Sequence, residues 1–136
     1  MPDARTLAAL RAAALAAMEQ AYAPYSKFRV GAALLTPEGD IIVGCNVENA
    51  SYPAGTCAER AAIGAAVVRG VRAFTHVVVA TEASTPTPPC GICRQVLHEF
   101  APTCQVISVT RGGAEAEWPL ADLLPYAFES SSLRDA

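Results

Sequence analysis

The stretch THVVVAT, residues 75–81, decides the fold. It is short, rich in β-branched residues and nearly all apolar, which marks it as a strand rather than a helix. An outward-facing strand alternates polar with apolar residues. This one does not, so both of its faces are predicted to be covered. A central strand covered on both sides implies a sheet with helices packed against it.

The neighbouring segments supply those layers. Upstream, TCAERAAIGAAVVRG (56–70) has helical periodicity and is closed by Gly70. FRVGAALLT (28–36) and IIVGCNV (41–47) form two strands around the turn PEGD, a hairpin signal, and the loop ENASYPAG (48–55) follows. Asp3 is placed to cap a first helix running to about Ala21, with Leu7, Leu10, Ala14 and Met18 on one face and Pro24 beyond its end.

Downstream, EASTPTPP (82–89) cannot be regular structure, because its prolines remove donors. It delivers the chain to a helix from Cys90 to about Phe100, ending before Pro102. QVISVT (105–110) is a fourth strand, Gly112 and Gly113 turn the chain, and AEAEW (114–118) is a short fifth. PLADLLP (119–125) is a last helical turn before the tail YAFESSSLRDA. The order α-β-β-α-β-α-β-β shows no repeat and no boundary, so residues 1–136 are expected to form one domain.

The chain is 52% hydrophobic with a net charge of -3, which is globular and gives no net positive field for a polynucleotide. No apolar run reaches membrane-spanning length. Asp3, Arg5, Arg11 and Glu19 interrupt the alanine-rich N-terminus, so it is an amphipathic helix rather than a secretory signal. A cytoplasmic protein is the expectation. There, five cysteines point to metal or catalysis before disulfides.

Cys90 and Cys93 sit three apart at a helix start, so they share a face and each thiolate gains from the helix dipole. That favours metal binding and redox chemistry equally. Cys57 also stands at a helix start, with Glu59 two residues on. If the two helix starts face one point, three thiolates converge there. Three ligands leave zinc's fourth position open, as in a catalytic site. A fourth ligand is lacking at suitable spacing, since His76 lies in a strand and His98 lies well down its helix. Blander readings exist for each residue. Thr56-x-x-Glu59 fits a capping box, Cys57 alone fits a small buried hydrophobe, and CGIC fits a redox dithiol. Cys45 and Cys104 flank strands as expected of buried hydrophobes, and Trp118 belongs to the core or an interface.

CAER followed by PCGICRQV closely resembles the signature of the zinc-dependent cytidine deaminases. APYSKFRVGAAL, GCNVENASYPAGTCAERAAI, PCGICRQVLHEF and LLPYAF extend the resemblance, in family order, over nearly the whole chain. It implies a three-layer α/β/α fold with a mixed five-stranded sheet, in the short form that assembles as homotetramers with active sites near subunit interfaces. The implied reaction is hydrolytic deamination of cytidine and 2'-deoxycytidine to uridine and 2'-deoxyuridine, with one Zn²⁺ per subunit.

Carried over by motif, Cys57, Cys90 and Cys93 resemble the zinc ligands and Glu59 the proton shuttle. Asn46 and Glu48 match the pair that binds the ribose, Phe28 an aromatic lining the pocket, and the Ala58 N–H a contact to the base. Phe128 matches an aromatic that closes over the base from a neighbouring subunit, and Tyr52 belongs to the same interface. Three thiolates around a dication leave net negative charge, which Arg60, three residues after Cys57, is placed to offset. Arg94, beside Cys93, either assists it or forms a surface salt bridge. One departure is Pro88, where many relatives carry serine. The family contact there uses the backbone carbonyl, accepting from the substrate amine, and proline keeps its carbonyl.

Deaminases of other aminopyrimidines, such as the blasticidin type, share C-A-E and P-C-G-x-C-R. The segment NVENA and Phe128 favour an ordinary nucleoside. Polynucleotide deaminases usually carry histidine in place of Cys57.

Overall fold

Asp3 opens the first helix as expected: its carboxylate accepts from the Thr6 N–H at 2.8 Å, and α1 runs Ala4–Met18. The computed structural model describes residues 2–134. The strands β1 (Val30–Leu35), β2 (Ile41–Cys45), β3 (His76–Thr81), β4 (Gln105–Thr110) and β5 (Glu115–Pro119) form one sheet in the order β2-β1-β3-β4-β5. The β3–β4 pair is parallel and the other pairings are antiparallel, so the sheet is mixed. The helices α2 (Ala58–Val68) and α3 (Gly91–Phe100) follow β2 and β3; α4 (Leu120–Leu123) and α5 (Ser130–Arg134) close the chain.

The central strand has the predicted cover on both faces. Val78 and Ala80 of β3 point to α1, where they join Leu10, Ala14 and Met18. Val77 and Val79 point the other way, to a core with Ala58, Ala62 and Ile63 of α2 and Leu97 of α3. The period of two along the strand thus feeds two separate cores. Two glycines set how closely the helices approach. A Cβ on Gly31 would lie 2.0 Å from the Ala14 carbonyl oxygen, and one on Gly44 would lie 2.4 Å from the Ala62 nitrogen. Backbone therefore rests on backbone at both places, α1 over β1 and α2 over β2.

Strand direction places the site. β2 runs antiparallel to β1, which runs antiparallel to β3, so β2, β3 and β4 all point the same way. Their C-terminal ends share one edge of the sheet, and α2 and α3 both start from it. Open α/β sheets commonly bind ligands at such an edge.

Some boundaries differ from the sequence reading. α1 stops at Met18 rather than near Ala21, where the N–H groups of Glu19, Gln20 and Ala21 switch to bonds three residues back. The tail contains the short helix α5, for which the sequence reading had no element. Cys104 is buried as expected, but Cys45, at the end of the edge strand β2, is only half-buried. Trp118 is partly buried against the α2/α3-side core. No helix among the described residues is long and apolar enough to cross a membrane.

Candidate active site

Cys57 and Cys90 are the residues on which extended chain turns into helix, each with β-region backbone angles immediately before α2 or α3. Cys93 lies one turn into α3, on the face that Cys90 shares. The two helix starts meet. The Sγ atoms of Cys57, Cys90 and Cys93 all lie within 4.8 Å of one another, with Cys57 and Cys90 at 3.9 Å. Three soft donors on two positive helix ends, with no fourth side chain among the described residues closing the set, fit a tetrahedral zinc that keeps one position free.

The capping-box reading of Thr56 and Glu59 does not hold. Cys57, not Thr56, is the cap residue, and Thr56 instead exchanges backbone bonds with Val47 at 2.9 and 3.0 Å. That shift puts Glu59 in the first turn of α2, 4% exposed, facing the thiols rather than the helix start. Burial pushes its carboxyl above the ordinary value, and the nearby Cys57 thiolate adds to the rise. A carboxyl held up in this way keeps a proton more readily than a solvated one, which suits a group that takes and returns protons.

Arg60 answers the negative charge. Its guanidinium donates to Cys57 Sγ at 3.5 Å, while its Nε is buried without a partner. The Cys57 thiol is drawn down to about 5, first by Cys93 as hydrogen-bond donor and then by Arg60 against the cost of burial. The same pairing and burial push Cys93 upward. The pair behaves as one thiolate with a proton donor beside it, a state that a dication replaces by displacing the protons.

A cavity of about 290 Å³ opens beside the thiols. Cys57, Ala58, Glu59 and Cys90 form one wall, Val79 and Thr81 of β3 line it, and Thr87 and Pro88 contribute from the loop before α3. Ser26, Phe28, Val30, Asn46 and Glu48 complete it. Asn46 and Glu48 stand two apart on extended chain and so share a side. That segment is held in place by backbone bonds to Tyr22 on one flank and Thr56 on the other. The Asn46 side chain already binds the backbone: Oδ1 accepts from the Val30 N–H and Nδ2 donates to the Phe28 carbonyl, each at 2.8 Å. One N–H and one lone pair remain to it. Glu48 accepts from the N–H groups of Tyr25 and Ser26, both at 3.0 Å, and from the Ser26 hydroxyl. These bonds, the Ser26 hydroxyl first, hold its carboxyl below the ordinary value.

Ser26 is a residue the sequence reading missed. Its signal was a small hydroxyl just before Lys27, whose φ of 61 makes it the one described non-glycine residue in the left-handed region. Phe128 is not drawn into this cavity by its own chain. It is 59% exposed, and its carbonyl accepts from Gln95 Nε2 at 2.7 Å on the outer side of α3. Tyr52 is exposed too and meets Tyr25 edge to face across a neighbouring hollow. Among the described residues Arg94 makes neither a thiolate contact nor a salt bridge: it donates to the carbonyls of Pro89 and Leu123 at 2.7 and 3.0 Å.

A family model described as the cytidine and deoxycytidylate deaminase zinc-binding region matches residues 5–109. A cytidine deaminase of Sporosarcina psychrophila is 48% identical over 119 residues, spanning 86% of this chain and 87% of its own. One of Halalkalibacterium halodurans is 43% identical over 123 residues, spanning 90% and 93%. The crystal structure of cytidine deaminase from Burkholderia pseudomallei superposes with a TM-score of 0.86 at 48% identity, covering 89% of this chain and 98% of that one.

Proposed function

Because the chain belongs to the zinc-binding cytidine and deoxycytidylate deaminases and deaminates cytidine, we propose that Glu59 moves the protons of that reaction while Cys57, Cys90 and Cys93 hold the metal. The observation that supports this division is the meeting of three thiols from two helix starts beside one buried carboxyl. Bound there, zinc supplies the Lewis acidity that makes water a nucleophile near neutral pH.

The residues divide the remaining work. Glu59 accepts a proton from the attacking water at its carboxylate and delivers it to ring nitrogen 3; it then takes the second proton, from the new hydroxyl on carbon 4, and passes it to the departing amine. Carbon 4 gains oxygen, its bond to nitrogen breaks, and ammonia leaves. The raised affinity of Glu59 for a proton suits both transfers. The Ala58 N–H, at the first position of α2, contacts the base, and Phe28 lines the pocket against it. Asn46 and Glu48, each with acceptor capacity left over, take the ribose hydroxyls and orient the nucleoside. The Pro88 carbonyl accepts from the 4-amino group.

The reading extends to 2'-deoxycytidine as a second substrate and to pyrimidine salvage in the cytoplasm. It also extends to a homotetramer in which Phe128 and Tyr52 of one subunit serve the site of another, supported by the exposure of both rings. An ultraviolet assay on cytidine, deoxycytidine, cytosine, CMP and blasticidin S, run beside a zinc determination, tests the substrate reading. Glu59→Gln tests the mechanism. It is expected to retain zinc and fold and to lose about 10²–10⁴-fold in rate. Wild-type turnover in that variant would defeat the assignment.

A further inference from the structure

The loop between β3 and α3 reaches the cavity with few bonds of its own. Pro86, Pro88 and Pro89 have no N–H to give. Among the described residues, two side chains from neighbouring elements tie two of the carbonyls of its last three residues. Ser108 Oγ donates to the Thr87 carbonyl at 2.8 Å, and Arg94 Nε donates to the Pro89 carbonyl at 2.7 Å. These two ties bracket Pro88, whose own carbonyl is paired with no donor among the described residues. The rings fix φ at Pro88 and Pro89. With the carbonyl on either side held, the Pro88 carbonyl has little rotation left.

Ser108 is the unusual member of this arrangement. It is fully buried in β4, between Ile107 and Val109, which are both core residues. A hydroxyl at such a place needs a partner, and the recorded one is Thr87. Its register partner on β3 is Val79, which lines the cavity. The tie therefore rises from the sheet directly behind the cavity floor, and it ends one residue from Pro88.

We propose that Ser108 is a positioning residue for the substrate's 4-amino group, acting through the Thr87 carbonyl on the direction of the Pro88 carbonyl. This rests on the reading that Pro88 accepts from that amino group. Chemically, Ser108 governs discrimination between a ligand that can donate at position 4 and one that cannot.

The test is Ser108→Ala in the zinc-loaded enzyme, with zinc content and melting temperature confirming the fold. Cytidine KM and kcat are measured beside the Ki of uridine, whose 4-oxo group has no hydrogen to donate. Cytidine KM is expected to rise about 5–10-fold, the loss of roughly one neutral hydrogen bond, with kcat and uridine Ki each within about 2-fold of wild type. An equal rise in cytidine KM and uridine Ki would reduce Ser108 to general support of the loop and overturn the proposal. An unchanged cytidine KM would also overturn it. A wild-type enzyme that binds uridine as tightly as cytidine would overturn the Pro88 reading itself, and the proposal with it. The wild-type ratio therefore separates the two failures.

Discussion

Arg60 donates to the Cys57 sulfur at 3.5 Å from one turn along the same helix, so one thiol of the cluster and its charge compensation are carried by one segment. Arg60→Gln removes the cation but keeps a polar side chain. Zinc affinity is expected to fall about 10–100-fold, the usual effect of losing a group that bonds to a ligand. Competition with a chelator measures it. Full zinc retention with wild-type kinetics would show that the two helix starts alone offset the thiolate charge.

Glu48 carries a pH signature. Its carboxyl is held below the ordinary value, chiefly by the Ser26 hydroxyl. A depressed carboxylate contributes above its unfolded value, and that contribution fades only as pH falls through the lower folded value. Cytidine KM should therefore stay flat from about pH 7 down to the ordinary carboxylate range and rise only below it. Ser26→Ala removes the largest cause, so the rise should begin at higher pH. An unshifted acid limb would place the sugar contact elsewhere.

Gly31 and Gly44 provide a matched pair of substitutions. Alanine at either site drives a Cβ into helix backbone, with contacts of 2.0 Å to α1 and 2.4 Å to α2. Both variants are expected to lose about 1–3 kcal/mol of stability, read from denaturant melts. Only Gly44→Ala displaces the helix that bears Glu59 and begins at Cys57. Its kcat should therefore fall at temperatures where it remains folded, while Gly31→Ala keeps near-wild-type turnover. Equal kcat in the two folded variants would count against this.

Metal removal should be visible in thiol chemistry. Three of the five cysteines belong to the cluster. Chelation should release additional thiols to a disulfide reagent near neutral pH, Cys57 and the exposed Cys90 among them. Cys104 should stay silent, because burial pushes its thiol up to about 12. No increase on chelation would exclude the cysteines as ligands.

Much of this architecture was legible because it is written in local patterns. The apolar run at residues 76–81, the hairpin glycine at Gly39 and the helix stop at Gly70 each encode a backbone event within a few residues. The thiol cluster was legible for a related reason: each cysteine stands at a helix start, and strand direction then brings the two starts to one edge. What escaped depended on partners far along the chain. The alternative in which Thr56 caps α2 failed because the Thr56 backbone pairs with Val47, a contact that no capping pattern contains. Arg94 looked like a cluster or surface residue until Leu123 and Pro89 came within its reach. Cys45 looked like core until β2 proved to be an edge strand.

Asn46 joins two things that a designer would prefer to vary separately. Its amide is stitched to the backbone on both sides of Arg29, so the residue proposed to meet the sugar also holds the Phe28 carbonyl. Under the proposed sugar contact, changing Asn46 to admit altered sugars would also disturb the Phe28 wall of the cavity. Glu48 is stitched to a different loop, that of Tyr25 and Ser26, which makes it the freer handle for engineering tolerance of modified riboses.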